Sequence, residues 1–143
     1  MSIIDAARTD AARRLLEQRG TLGELAEKLG IALVSLSADE AVATMPAEGN
    51  RQPYGVVNGG AYVTLGETLG SFAANVHAID RDKVAVGIEI NATHTRSVRT
   101  GTVTGTCRAL HLGGTLTTHE ITITDEQDRL VSTVRITNFL RNA

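Results

Sequence analysis

Residues 59–77 read GGAYVTLGETLGSFAANVH, and the fold turns on this stretch. It predicts one long helix, with Ala, Val, Leu, Gly, Thr and Ser on every side and no solvated charged face, the pattern of a helix enclosed all round. Gly66 and Gly70 fall in its interior. Each costs roughly 1 kcal/mol of helix propensity relative to Ala, so something must need close backbone approach there, as a sheet wrapped around the helix would.

Working outward toward the C-terminus, a polar turn at 80–83 is followed by strand-like runs at 84–98, 101–112, 115–124 and 129–140. They are rich in Thr, Val and Ile and are separated by turn residues, so they predict consecutive antiparallel strands. On the other side, 47–57 holds Gly49, Asn50, Pro53 and Gly55 and is a loop. Residues 31–37 and 41–45 alternate apolar with small or polar residues and predict a β-hairpin closed by Pro46. Residues 3–19 predict a helix; Thr21 and Glu24 then form a capping box for a shorter one that Gly30 stops. The expected organisation is a helical extension, 1–30, followed by an α+β domain, 31–143, with an antiparallel sheet wrapped around one long buried helix.

At 143 residues and 15.1 kDa, with 42 % hydrophobic residues, the chain fits one core. A net charge of −2 lacks the basic excess that holds phosphates, so nucleic acid is not expected as a partner. No apolar run approaches the roughly 20 residues that span a bilayer, and the N-terminus lacks a secretory apolar segment. With the lone Cys107 unable to pair within the chain, the expected compartment is the cytoplasm. No HxxxH or CxxC spacing suits a metal, and neither a phosphate loop nor a GxSxG elbow is present.

Glu67 is the only charged residue between Arg51 and Asp80, in the middle of the helix expected to be buried. Such a carboxylate is paired, protonated or functional; the plain alternative is a partner at a subunit interface. Ser71, one turn on, would either orient Glu67 or a water bound to it, or bond its own backbone. Gly59 and Gly60 open the helix, where free N–H groups and the helix dipole suit an oxyanion, although Asn58 as a simple N-cap accounts for the same residues. Glu67 lies roughly 12 Å along the axis from Gly59, so a site using both needs them from different subunits, and an enzyme built this way is an obligate dimer.

The segment Gln52-Pro53-Tyr54-Gly55-Val56-Val57-Asn58-Gly59-Gly60, with Leu65-Gly66-Glu67-Thr68-Leu69-Gly70-Ser71, resembles the signature of the PaaI-like hotdog thioesterases. Residues 86–94, 110–113 and 125–127 are similar to the subgroup acting on 1,4-dihydroxy-2-naphthoyl-CoA in menaquinone synthesis, and to its relative that clears mischarged aryl carriers in enterobactin synthesis. The resemblance implies a hotdog fold and hydrolysis of an aryl- or short acyl-CoA thioester. Glu67 would be nucleophile or general base, with Gly59 and Gln52 holding the thioester oxygen and Ser71 positioning the attacking group. Gly60, His94 and Gly113 would touch substrate. Coenzyme A would enter as part of the substrate, with no separate cofactor or metal, and the assembly would be a dimer of dimers. Asn58 stands where the family typically has His; it can cap and donate but cannot carry charge or shuttle protons. Residues 95–97, Thr-Arg-Ser, lack the Pro usual in the subgroup, which implies a different acyl-pocket rim. The competing reading is a non-catalytic acyl-CoA sensor on the same fold, against which the retained Glu67 and Ser71 count.

Overall fold

In the computed structural model, which describes residues 2–143, the central helix α3 runs Gly59–Ile79. Its two interior glycines bring it onto the sheet: a Cβ on Gly66 would fall 2.6 Å from Val134, and one on Gly70 2.3 Å from Ile136. The complementary relation holds on the neighbouring strand, where Gly105 receives Leu65 and Leu69. Small residues on each surface admit large ones from the other, which is how the helix seats at close-packed density.

Six antiparallel strands form one sheet: β1 Ala32–Leu36, β2 Glu40–Pro46, β3 Lys83–His94, β4 Thr102–Leu112, β5 Leu116–Thr124 and β6 Leu130–Asn142. Their order is β1-β2-β4-β5-β6-β3. Sequence adjacency misleads at one point, because β3 does not pair with β4. It lies at the far edge against β6, with Gly87 opposite Asn138 and His94 opposite Ser132. The chain then passes under the start of α3, where the Val57 N–H bonds the Val98 carbonyl, and returns as β4 beside β2. Inward residues alternate as expected of a sheet with one covered face, as in Ile121 and Ile123 on β5 and Val134 and Ile136 on β6.

The N-terminal region departs from the single helix expected over 3–19. A 3-10 turn, Ile3–Ala6, is separated from α1, Asp10–Arg19, by Ala7 and Arg8, whose backbone bonds the edge of β1 at Leu36. Two local caps flank the break, Ser2 accepting the Ile4 N–H and Thr9 the Ala12 N–H, while the bond to Leu36 holds it open. Helix α2, Glu24–Lys28, starts from Gly23 at φ 102°, and Thr21 bonds the Gly23 N–H instead of forming the predicted capping box. Gly30 at φ 73° ends this region, as its position suggested. Leu15, Leu16 and Ala26 are buried in the same core cluster as Leu65 and Leu69.

Candidate active site

The first turn of α3 is shaped by its cap. Asn58 accepts the Gly60 N–H on Oδ1 at 2.8 Å and gives its own N–H to the Asn50 carbonyl. Asn58 is thus the N-cap, and the Gly60 N–H is occupied in the protomer. The Gly59 N–H has no acceptor among the described residues, which leaves one main-chain donor at the positive end of a long helix.

His94 packs against the same residue. A Cβ on Gly59 would fall 2.7 Å from its Nε2, so any larger residue there would push the ring aside. His94 Nδ1 is 2.8 Å from Ser132 Oγ, and the Tyr62 ring lies 5.3 Å away, centroid to centroid. Burial pushes the Tyr62 phenol up to about 12, so it remains a neutral donor, and its hydroxyl has no partner among the described residues. A cavity of about 330 Å³ opens between Val56, Gly59, Tyr62, His94 and Arg96.

Gln52 sits in the loop leading to this cavity but not on its wall. The loop closes on itself through Gln52 N–H to Val56 and Gly55 N–H to Gln52, and the Gln52 side-chain oxygen accepts the Tyr54 N–H. That leaves the carboxamide nitrogen, a donor, without a partner among the described residues.

Glu67 is exposed in the protomer, contrary to the burial expected from the helix pattern. The sheet covers one side of α3 only, so the opposite strip, with Thr64, Glu67, Thr68 and Ser71, is open. Its carboxylate has no hydrogen bond or ion pair among the described residues and lies against β3, 3.3 Å from where a Cβ on Gly87 would sit. Thr64 and Thr68 bond back to the carbonyls four residues earlier, at 2.9 and 2.7 Å. Ser71 makes no such bond, so its hydroxyl is free on the Glu67 face. Glu67, Ser71, Phe72, Leu22 and Leu25 line a groove of about 470 Å³.

The residues named from the sequence thus fall into two separate groups in the protomer: Gly59 with His94, and Glu67 with Ser71. Gly113 joins neither. Its N–H bonds Leu116, and its carbonyl meets His77 Nε2 at 2.7 Å, near the far end of α3. Ser132, Tyr62 and Gly87 were not singled out in the sequence. For Gly87, a lone glycine inside a strand pattern was the available signal; for Ser132, nothing in the local pattern announces a histidine partner.

The thioesterase superfamily model matches residues 54–132. The chain belongs to this superfamily, has its hotdog fold, and is a thioester hydrolase. It is 44 % identical over 117 residues to the proofreading thioesterase EntH of Cronobacter turicensis, covering 81 % of this chain and 85 % of that one. To the 1,4-dihydroxy-2-naphthoyl-CoA hydrolase of Escherichia coli it is 41 % identical over 125 residues, covering 85 % and 91 %. The crystal structure of a thioesterase from Haemophilus influenzae superposes with a TM-score of 0.78 at 36 % identity, covering 84 % of each chain. A Staphylococcus aureus thioesterase, TM-score 0.78 at 27 % identity over 82 % of this chain and 98 % of that one, was solved as a glutamine-to-alanine variant. The same protein was also solved as a glutamate-to-alanine variant, the two altered positions being 15 residues apart.

Proposed function

We propose that the chain is an acyl-CoA thioesterase that hydrolyses an aryl- or short acyl-CoA to acid plus CoA, at sites shared between two subunits. The observation that carries this reading is the placement of the half-sites along one strand. Glu67 abuts Gly87 near the start of β3, and Gly59 abuts His94 at its end. β3 is a long edge strand bonded only to β6, the kind of edge that invites pairing with another chain. A two-fold pairing of β3 with its copy, centred near Ile90 and Asn91, would set Gly87 opposite His94 of the partner subunit. Glu67 would then face the free N–H of Gly59 of the partner subunit. A higher dimer of dimers is compatible with this pairing.

In such a site the Gly59 N–H polarises the thioester carbonyl, with Gln52 and His94 as further donors, and takes up charge as the oxyanion forms. Asn58 and Gly60 contribute by fixing the helix start. Glu67 either removes a proton from the water that attacks the carbonyl carbon, or adds to that carbon itself to give, on loss of CoA, an anhydride that water then hydrolyses, releasing the acid, restoring the carboxylate and supplying the proton; Ser71 holds the attacking group in place. The C–S bond breaks and CoA leaves as thiolate, which takes up the proton; a thiolate needs no strong general acid, and no cofactor is consumed. Gln52 and Glu67 are separated by the same interval as the two positions altered in the S. aureus thioesterase, which supports pairing them in one site. The two most informative relatives act, by name, on an aryl-CoA and in proofreading, which supports an aryl acyl group, with 1,4-dihydroxy-2-naphthoyl-CoA the first candidate. Action in the cytoplasm fits such a substrate; no helix among the described residues is long and apolar enough to cross a membrane.

The test is CoA release by wild type and Glu67→Gln with benzoyl-, dihydroxynaphthoyl-, phenylacetyl- and aliphatic CoA thioesters. Loss of turnover in Glu67→Gln on an aryl thioester that wild type hydrolyses supports the reading. Unchanged turnover sinks the role of Glu67.

A further inference from the structure

The outer edge of β3 is not open along its whole length. The Ala85 N–H donates to Asn75 Oδ1 at 2.9 Å, and the Ala85 carbonyl accepts from Asn75 Nδ2 at 3.1 Å, so one side chain of α3 occupies both main-chain groups of that residue. Asn75 is buried, and its amide nitrogen also reaches the Ser71 carbonyl at 2.9 Å, which ties the side chain to its own helix. The main-chain groups of an antiparallel strand point alternately to its two sides, so the residues that face away from β6 can be counted. They are Ala85 and Gly87 up to the bulge at Ile88, and Ile90, Ala92 and His94 beyond it, where the Thr95 N–H bonding the Val131 carbonyl fixes the phase. Ala85 is taken. No strand lies beyond β3 to bond the other four.

That count sets a register. Two copies of β3 that pair antiparallel through every open position place the first against the last: Gly87 opposite His94 and Ile90 opposite Ala92, with Asn91 facing its own copy on the two-fold axis. Were Ala85 open as well, a longer pairing would be available, with Ala85 opposite His94, Gly87 opposite Ala92 and Ile90 on the axis. The two differ by a slide of two residues, about 7 Å. A slip of two keeps every side chain on its own face, so alternation alone does not choose between them. Only the shorter register brings Gly87, and with it Glu67, level with Gly59 of the partner subunit.

We propose that Asn75 is a positioning residue for the shared site: by occupying the main chain of Ala85 it excludes the longer register and holds two copies of the chain where Glu67 meets Gly59 of the partner subunit. A carboxamide suits the task, because it presents one donor and one acceptor side by side, as a neighbouring strand would. The inference rests on the shared-site reading.

Disulfide trapping in the intact chain, whose own Cys107 is buried, reads the register. Asn91→Cys should cross-link to its copy on mild oxidation, since directly opposed residues that exchange no main-chain bonds have Cα atoms about 4.5 Å apart, within disulfide reach. Ile90→Cys should not, its copy lying on the diagonal at about 7–8 Å. Asn75→Ser removes the clamp on Ala85 but keeps a hydroxyl for the Ser71 carbonyl, the bond a mid-helix serine makes four residues back. In that background the cross-link is expected to move from Asn91→Cys to Ile90→Cys. Asn75→Ser alone should lose about tenfold or more in kcat, because the longer register adds main-chain hydrogen bonds in both copies. A merely structural Asn75 would lower melting temperature and leave the cross-link at Asn91→Cys. The proposal is overturned if Asn91→Cys does not cross-link, or if Asn75→Ser leaves both the cross-link and kcat within twofold of where they were. Should Asn75→Ser fail to fold, the cysteine variants with Asn75 intact decide, and a cross-link at Ile90→Cys in place of Asn91→Cys overturns the count. If the cross-links move as expected while Glu67→Gln is fully active, the role of Asn75 in the register stands and the catalytic reading of Glu67 falls.

Discussion

Gly59→Ala separates the contribution of the helix start from that of the fold. The residue has no positive φ, so alanine is allowed by the backbone, and the main-chain N–H is retained. The added methyl would fall 2.7 Å from His94 Nε2 and 2.9 Å from Cδ2. Restoring an ordinary contact of about 3.5 Å requires the imidazole to move by roughly 0.8 Å, away from the helix and off its 2.8 Å bond to Ser132. For stability the terms nearly cancel: alanine gains up to about 1 kcal/mol in a helix, and the lost His94–Ser132 bond gives back about the same. Melting temperature should therefore stay within about 4 °C of wild type. Activity should not survive so well, because displacing a positioning group by about 1 Å costs on the order of 10²-fold. The assay is steady-state CoA release on the best aryl-CoA, alongside a thermal melt, for Gly59→Ala, His94→Ala and the double variant. If the methyl acts through the imidazole, the double variant is no worse than His94→Ala. A value of kcat/KM for Gly59→Ala within threefold of wild type would refute the crowded helix start as a functional site.

Gly70→Ala, whose methyl would lie 2.3 Å from Ile136, should lose about 1–3 kcal/mol and several degrees of melting temperature, read by thermal denaturation. At Asp125, burial pushes the carboxyl up, but the Arg129 N–H and guanidinium and the Gln127 N–H outweigh it and hold it below the usual range. Its contribution is present above about pH 4 and lost as pH falls through the depressed folded value, so Asp125→Asn should melt lower at pH 7 and show a shallower acid decline. Burial holds His119 below its usual value despite its bond to the Ala38 carbonyl. Wild type should therefore lose stability as pH drops below about 6.5, and His119→Gln should lose that part of the decline, as melts from pH 7.5 to 5 would show. Ile88 is 59 % exposed on the free edge of β3, and Ile88→Lys should give a folded monomer by sedimentation with CoA release reduced at least tenfold. A monomer that retains full turnover would rule out the shared site.

The elements near α3 were legible because their signals are local. Asn58 before two glycines reads as a cap whether or not the protein has a function, and the Thr- and Val-rich runs read as strands from alternation alone. What failed was non-local. Nothing within 84–98 says that this strand crosses to β6 instead of turning back on 101–112; that is decided by where the chain passes beneath the helix start. The break at Ala7 and Arg8 likewise depends on Leu36 offering an edge to bond. Glu67 was recognised as the odd residue of its helix, but its exposure was misjudged: an uncharged helix face resembles a buried one whether its cover is this chain's own sheet or something outside it.

The packing of α3 and the geometry of the half-sites are one solution. Gly66 and Gly70 let the helix settle against Val134 and Ile136, with no side chain at those two positions to hold it off. With that face pinned, the helical period fixes where the others go: Glu67, one residue on from Gly66, points along the edge of the sheet and meets β3 at Gly87. A helix held off by even one methyl would carry Glu67 away from that strand. The same seating fixes Gly59 beneath His94 at the other end of β3. Two glycines that serve core packing thus place both Glu67 and Gly59, the latter seven residues before Gly66, against one edge strand, β3.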